Sequence, residues 1–395
     1  MNKITVFFTV LLFNSGLYSM NLFDAIRADN FDRVRELIHD HPNFITTGIG
    51  TGHTALMIAA GSGHLGITRF LCEQGFDVNA VEETGSTALS YGVSARSLPI
   101  VQYLLLRGAR ANARINSRGE TVAARAIEQG SLDIVRVLVD DGCIDLRASD
   151  YYGRSIYKVA RDHRKPEILA YLNNLLLAPT IAGDVKGVRK LLTQGAFLNC
   201  HGQERETPLM IASRQGRFDI VKSLLRPDGC DILAQKENGE TAVRMAVESG
   251  CIEVVQVLID RGADSDVPDN GGFTPLMWAV ANNQIGIVPL LIAHTKKIDA
   301  CNMHGHTALM IAADIGDEEV VRLLIDGGAK LNLFDHDGQT ALMHAAKSGR
   351  LRVINLLLSE GAKALSRTQD RELLKLVMHE AIEQEVRLSA LEGRR

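Results

Sequence analysis

Bulky aromatic side chains are scarce in this chain of 395 residues: they make up 5% of it, and Trp278 is the single tryptophan. A large single core usually draws on such rings, because each ring buries a large apolar area. Many small contacts among Ala, Leu and Gly are therefore the predicted mode of packing. Hydrophobic residues still form 46% of the sequence and charged residues 23%, a balance that argues against a disordered chain.

An excess of basic charge is also missing, since 43 Lys and Arg face 47 Asp and Glu and the net charge is −4. Proteins dedicated to nucleic acids normally carry a basic stripe that neutralises phosphates. We therefore expect no nucleic-acid partner. No apolar run beyond the amino-terminal region approaches the length of about 18 residues that spans a bilayer. The mature chain is accordingly predicted to be soluble and to have no membrane span.

Closely paired cysteines are lacking as well, because no two of the six form a Cys-x-x-Cys motif. Cys143 and Cys230 each follow a Gly, where similar segments have Ala, as in Gly108-Ala109. The favoured interpretation is that Cys replaces a small buried residue there, and a disulfide or metal framework is the alternative. The cysteines are Cys72, Cys143, Cys200, Cys230, Cys251 and Cys301.

Residues 1–19 have the order of a secretory signal peptide. Lys3 precedes an apolar run from Ile4 to Phe13, and a short polar stretch ends at Ser19. The run is too short to span a bilayer, so we predict cleavage after Ser19 and export to the periplasm or the outside. Bulky Leu17 is unfavourable near that cleavage site, and the alternative is a cytoplasmic protein that starts at Met20.

A phrase of the form Gly-x-Thr-(Ala/Pro)-Leu recurs along the chain, with weaker copies between the strong ones. Seven of the eight intervals between its hydroxyl residues are 33 or 34 residues, and the remaining one is 52. A fixed period of this length is the sequence signature of a repeat architecture. The hydroxyl residues are Thr54, Thr87, Thr121, Ser155, Thr207, Thr241, Thr274, Thr307 and Thr340.

Each period contains the pattern of two helices. The hydroxyl residue is a predicted helix N-cap, and Pro208 and Pro275 occupy the first helical position, where a missing N–H costs nothing. An Ala-rich stretch follows, a Gly ends it, and a second apolar stretch with helical spacing comes next. Gly then ends the second helix, often as Gly-Ala, because the chain must turn there through positive φ.

This pattern resembles the ankyrin repeat family over about residues 21–365. The resemblance implies an all-α solenoid of helix–turn–helix units, about ten to eleven repeats in number. It also implies a surface that binds other proteins. The sequence departs from the family at the fourth place of Thr-Pro-Leu-His, where Met stands instead of His and a polar contact is expected to be lost. These methionines are Met57, Met210, Met277, Met310 and Met343.

The interval of 52 residues divides the predicted repeats into two arrays, 20–177 and 178–365. Pro166 stands where a second helix should start, and a new helix pair then begins without the Thr phrase. We expect a continuous stack with a kink near 160–180, and a hinge is the alternative. Residues 366–395 are predicted to form an amphipathic helix that caps the last repeat, with a partner-docking helix as the alternative.

Catalytic motifs are absent: the sequence has neither a phosphate-binding Gly-x-x-x-x-Gly-Lys-Ser/Thr loop nor a His-Glu-x-x-His motif. We therefore predict no catalytic residues, no cofactor and no enzyme, although an unrecognised site in the repeats is an alternative. Cys301, His304 and His306, with His336 and His344 one repeat later, are residue types that bind zinc. Because His304 and His306 flank a Gly at a turn tip, where polar residues vary, no metal site is predicted.

Packing fixes the framework positions, so recognition must come from variable positions, and the ankyrin resemblance implies that these lie at the turn tips and on the outward face of each first helix. Exposed Phe273 and Met303 near Trp278 form the predicted anchor cluster, although packing between repeats is the alternative for Trp278. The sequence thus predicts a monomeric, exported scaffold that binds a partner protein through the concave groove. The main candidates for partner binding are Phe273, Trp278, Met303, His304, His306, Asp314, Glu240 and Glu248. Further positions are Arg118, Glu120, Glu128, Gln129, Glu237, Asn282 and His336.

Overall fold

A computed structural model describes residues 22–41, 52–141, 144–226 and 229–363 of the chain. The predicted signal peptide (1–19) and the predicted capping helix (366–395) lie outside the described residues and stay predictions. Within the described ranges the regular structure is helical, and β-structure is limited to isolated bridges. The predicted all-α class and solenoid of helix pairs are thereby confirmed. The bridges join Arg114 to Thr121, Ser149 to Ser155 and Gln235 to Thr241.

The chain divides into two units, one formed by 22–175 with 191–197 and the other by 176–190 with 198–363. The helices of the first unit come in pairs, as the repeated pattern predicts. After residues 22–27, which are also helical, they are α1 (Phe31–Asp40), α2 (Ala55–Ser62), α3 (Leu65–Glu73), α4 (Ala88–Ser94), α5 (Leu98–Leu106), α6 (Val122–Gln129), α7 (Leu132–Asp140) and α8 (Ile156–Asp162).

Two helices contain residues of both units: α9 (Pro166–Ala182) and α10 (Val185–Thr193). The boundary predicted between residues 177 and 178 thus falls inside one helix. A short 3₁₀ turn, Gln203–Arg205, precedes the regular pairs of the second unit. These are α11 (Pro208–Arg214), α12 (Phe218–Leu224), α13 (Ala242–Ser249), α14 (Ile252–Asp260), α15 (Pro275–Ala281), α16 (Val288–His294), α17 (Ala308–Ile315), α18 (Glu318–Asp326), α19 (Ala341–Lys347) and α20 (Leu351–Ser359).

The hydroxyl of the repeated phrase caps a helix at eight of its nine copies. Each cap oxygen, including that of Thr307, accepts a hydrogen bond of 3.1–3.4 Å from the backbone N–H three residues later. This bond satisfies one of the free N–H groups of the first turn. Thr340 also precedes a helix, but its hydroxyl makes no such bond and is buried without a partner.

Three of the five methionines at the fourth place keep part of the polar contact that was expected to be lost. The sulfur of Met57 lies 3.5 Å from the backbone nitrogen of Thr54, and Met210 and Met310 repeat this arrangement at 3.4 Å. A thioether is a weak acceptor, so the box of reciprocal bonds around the cap is weakened but still present.

Small residues allow the first helices of neighbouring repeats to approach closely. Ala312 and Ala345, in α17 and α19, are fully buried, and these two helices pack against each other. The second helices add a layer of larger residues, such as Val321 and Leu324 of α18, which are also fully buried. The core is therefore a row of small inter-helix contacts, in agreement with the scarcity of aromatic rings.

The turns before the first helices are joined to each other by backbone hydrogen bonds. In the second unit, Met303 donates its N–H to the carbonyl of Gly271 at 3.0 Å, and His336 donates to the carbonyl of His304 at 3.1 Å. Asn270 likewise donates its backbone N–H to the carbonyl of Asn238 at 2.8 Å. These bonds fix the register of successive turn tips, where the candidate recognition residues stand.

Candidate partner-binding surface and histidine cluster

An acidic side chain five residues before the cap recurs in both units and accepts a hydrogen bond from the side chain nine residues later. The pairs are Glu82–Tyr91 at 3.0 Å, Asp269–Trp278 at 2.9 Å and Asp335–His344 at 2.8 Å. We call this arrangement the carboxylate pair. It links a turn to the first helix that follows, because the acceptor precedes the cap and the donor lies on the helix.

In the first unit, Glu82 is the centre of such a group. Its carboxylate also lies 2.8 Å from the imidazole of His53, which belongs to the preceding turn. Burial opposes the charge of Glu82, but hydrogen bonds from Thr84, Ser86 and Tyr91 outweigh it and lower the pKa of the carboxyl. Burial and the same carboxylate raise the pKa of Tyr91 to about 12. Glu82 is therefore ionised and Tyr91 is a neutral donor at neutral pH.

In the second unit, Trp278 belongs to a stacked polar network. The guanidinium of Arg244 lies 3.8 Å from the centroid of the indole, a cation–π contact between neighbouring repeats. The same guanidinium forms ion pairs with Glu240 at 3.1 Å and with Glu248 at 2.5 Å. Trp278 thus packs between repeats, and both candidate glutamates are already bound to a buried arginine.

Phe273 is half-buried, so the prediction that it is exposed was wrong. Its ring lies 5.5 Å from that of Trp278, and this contact draws it toward the repeat. Met303 is 63% exposed and His304 is also exposed, as predicted for turn-tip residues. Of the three predicted anchor residues, Met303 is therefore the exposed one, whereas Phe273 and Trp278 are half-buried against each other.

Two further positions differ in how free their side chains are. Asp314 is exposed at the end of α17, where its carboxylate accepts a hydrogen bond from Ser348 and its carbonyl accepts one from Arg350 at 3.0 Å. Glu120 is 7% exposed and forms two hydrogen bonds with Arg125, at 2.7 and 2.9 Å. Glu120 therefore supports its turn and is not the open recognition residue that the sequence predicted.

His306, Asp335 and His344 form a cluster whose ligand atoms all lie within 4.8 Å of one another. Both histidines were candidate metal ligands in the sequence, whereas Asp335 was not, and Cys301 is not part of this cluster. The signal that could have revealed Asp335 is its nine-residue spacing to His344, the same as that of Glu82 to Tyr91.

The pKa values of this cluster respond to burial and to neighbouring charge. Burial is the main cause that lowers the pKa of His306, and the charge of nearby His344 lowers it further. Burial opposes the charge of Asp335, but bonds from the Gln339 N–H and His344 hold its pKa below the ordinary value.

The repeat just before this cluster shows what happens without the carboxylate pair. Asn302 stands at the acidic position, and its side-chain oxygen accepts the N–H groups of His304 and His306 at 2.9 and 3.0 Å. The residue nine positions later is apolar Ile311, so the side-chain nitrogen of buried Asn302 has no partner. The turn geometry thus depends on the acceptor, while the donor on the helix varies.

The cysteines of the described residues are free thiols in separate places. Burial raises the pKa of Cys72 to about 11, of Cys230 to about 11 and of Cys200 to about 12. A thiol with so high a pKa is neither a good nucleophile nor a ready metal ligand at neutral pH. These three cysteines are packing residues, whereas Cys143 lies outside the described residues.

Comparison with known families identifies the repeat. The profile described as "Ankyrin repeats (3 copies)" matches residues 22–115, 209–302 and 294–368. The chain belongs to the ankyrin-repeat family. This membership agrees with the helix pairs and capped first helices described above, and it makes a protein-interaction scaffold the general function that the chain's fold supports. Among the described residues, no helix combines the length and the apolar character needed to cross a bilayer.

Relatives of this ankyrin-repeat chain share only part of their length with it. It is 30% identical over 237 residues to the ankyrin repeat and KH domain-containing protein mask-1 of Caenorhabditis elegans, covering 56% of this chain and 9% of that protein. It is 36% identical over 119 residues to the mouse B-cell lymphoma 3 protein homolog, covering 30% of this chain and 26% of the relative. A protein named L-asparaginase in Dirofilaria immitis is 28% identical over 153 residues, which cover 35% of this chain and 26% of that protein.

Proposed function

We propose that this protein is a non-catalytic scaffold that binds a partner protein through the turn tips and concave face of its second unit. The observation that carries the proposal is an exposed apolar side chain, Met303, on a rigid turn. A backbone bond to Gly271 holds this turn, and half-buried Phe273 and Trp278 lie in the turn-and-helix segment before it. Apolar anchors with polar neighbours are typical of interface centres, and a turn already held by backbone hydrogen bonds loses little backbone entropy when it binds.

The polar neighbours of this surface supply the expected rim. His304 beside Met303 is exposed, and Glu248 on α13 is half-exposed although it pairs with Arg244. Asp314 offers an exposed carboxylate on α17. A rim of this kind orients a partner, while the apolar centre supplies most of the binding free energy.

The test is affinity capture from an extract of the source organism, followed by mass spectrometry. The variant Met303→Glu/His304→Ala should lose at least one specific partner, because a charge replaces the apolar centre. Leu233→Glu is the matched control, since Leu233 is 59% exposed and lies in the same unit. Retention of every partner by the Met303 variant would discard this surface, whereas equal loss in the control would point to unfolding.

We also propose that the protein acts after export as a monomer, and that residues 1–19 are removed. The support is the order of a charged start, a largely apolar run of ten residues and a short polar stretch. Fractionation of the source cells, with sequencing of the amino terminus, tests this: the protein is expected outside the cytoplasm with Met20 as its first residue. Protein that starts at Met20 and stays in the cytoplasm would favour the alternative, an intact Met1 would contradict removal of residues 1–19, and light scattering checks the monomeric state.

A further inference from the structure

The cluster of His306, Asp335 and His344 has the donor set of a metal centre. Two imidazoles and one carboxylate occur together in zinc sites and in sites for other divalent transition metals. The Oδ2 atom of Asp335 lies 2.8 Å from Nε2 of His344 and 3.5 Å from Nε2 of His306. In a tetrahedral site with bonds of about 2.0–2.1 Å, neighbouring ligand atoms are about 3.3 Å apart.

The carboxylate is held in the orientation that a ligand needs. Its other oxygen, Oδ1, accepts the backbone N–H of Gln339 at 2.8 Å, and the Asp335 side chain is 1% exposed. Oδ2 therefore points at the imidazoles and is fixed by an outer hydrogen bond, the arrangement that orients metal-binding carboxylates. The side chain of His306 is 32% exposed at a turn tip, so this ring has room to close the widest separation of the three.

Close packing of two turns brings these ligands together. A Cβ atom on Gly305 would come within 2.7 Å of the backbone nitrogen of His336 and 2.9 Å of the Cα atom of Asp335. Glycine at this place lets the turn of His306 approach the turn of Asp335. The ligands thus come from consecutive repeats, with His344 on α19.

The first unit supplies an internal comparison. His53, Glu82 and Tyr91 occupy the same repeat positions as His306, Asp335 and His344, and their carboxylate accepts the same two contacts at 2.8 and 3.0 Å. A tyrosine that donates to the carboxylate therefore satisfies the fold. The histidine in the second unit keeps the hydrogen bond and adds a second imidazole ligand, which packing does not require.

We propose that His306, Asp335 and His344 bind one divalent transition-metal ion of the zinc type, which joins two consecutive repeats of the second unit. The three side chains leave a coordination position for water or for a donor group of another molecule. A metal ion needs Nε2 of His344 without its proton, which moves through solvent to Nδ1 so that the ring stays a neutral ligand. The ion and the hydrogen bond to Asp335 are therefore alternatives at the same atoms.

The probe is Co²⁺ added to reduced, tag-free full-length protein freed of metal with a chelator. Binding to nitrogen and oxygen ligands is expected to give visible d–d absorption that saturates at one ion per chain, and Zn²⁺ should displace it. His344→Tyr is the central variant, because it reproduces the hydrogen bond of Tyr91 and removes one ligand. It should fold normally and bind at least about tenfold more weakly.

Three further variants and a second readout make the outcome decisive. Asp335→Asn should weaken binding to a similar extent, whereas His304→Ala and Cys301→Ser should bind as the unaltered protein does. Zn²⁺ should raise the thermal unfolding midpoint of the unaltered protein and not that of His344→Tyr. The proposal is overturned by absence of the d–d bands, by a thiolate charge-transfer band, or by unchanged binding in His344→Tyr.

Discussion

Thr307 and Thr340 occupy the same position in successive repeats, yet only the first of them caps its helix. The hydroxyl of Thr307 accepts the N–H of Met310 at 3.3 Å, whereas that of Thr340 is buried and has no partner. A cap bond stabilises a helix by about 1 kcal/mol, while an unsatisfied buried hydroxyl costs free energy. The same residue type at the same position of two repeats therefore contributes differently to the stability of the protein.

Thr307→Ala should lower the free energy of unfolding by about 1 kcal/mol, because the cap bond is lost. Thr340→Ala should change it by less than about 0.5 kcal/mol, or stabilise the protein, because no bond is removed. Urea unfolding followed by circular dichroism measures both changes. Equal destabilisation by the two substitutions would contradict this difference.

The group around Glu82 predicts a dependence of stability on pH. The pKa of the Glu82 carboxyl is lowered in the folded protein. Its contribution to the free energy of unfolding is therefore complete above the ordinary pKa of 4.5 and is lost as the pH falls through the pKa of the folded state. Glu82→Gln should cost roughly 1–2 kcal/mol at neutral pH and should flatten the fall of stability in acid. The exposed neighbour Glu83, changed to Gln, is the control and should leave the acid profile unaltered.

The sequence predicted the cap residues well, since a period of 33 or 34 residues places each hydroxyl before an apolar helix. It predicted the side-chain environments less well. Phe273 was expected to be exposed but folds onto Trp278, and Glu120 was expected to be open but pairs with Arg125. Both errors have one cause: a turn residue can reach the helix beside it, and a repeat pattern does not record that contact.

At the scale of whole helices, neighbouring repeats are joined by polar contacts as well as by small apolar residues. Arg244 on α13 lies over Trp278 on α15, and its side chain is 8% exposed. The two residues are 34 positions apart, so they hold nearly equivalent places in successive repeats. The period indicated that α13 and α15 are neighbours, but it could not show that these side chains stack.

Arg244→Ala should reduce the free energy of unfolding by roughly 1–3 kcal/mol, because it bares one face of Trp278 and leaves Glu240 with Lys236 as its remaining ion-pair partner. Arg244→Lys keeps the charge but not the planar stack, so its effect should be smaller. The single tryptophan makes fluorescence a direct measurement, with a shifted emission maximum expected for the Ala variant. An unchanged spectrum would mean that the two groups are not in contact in solution.

At the scale of a whole unit, the repeat arrangement makes each interface between neighbours a separate contribution to stability. Gly305 sits at such an interface with a φ of +82°, where a side chain would meet the backbone of the next turn. Gly286 lies in the same unit with no atom near the place of a Cβ and without a positive φ. A substitution of Gly305 therefore tests a contact between repeats, whereas a side chain at Gly286 would meet no neighbouring atom and serves as the control.

Gly305→Ala should destabilise the protein by about 2 kcal/mol or more, since it combines an unfavourable φ with a clash. Because the damage falls between two repeats, the urea transition should also broaden as the repeats beyond the break separate from the rest. Gly286→Ala should be neutral or slightly stabilising, and its transition should stay sharp. The contrary outcome is a sharp urea transition in Gly305→Ala that is only shifted to lower urea concentration. It would mean that the helices alone hold neighbouring turns together, and that the close approach of the two turns has little effect on how this unit unfolds.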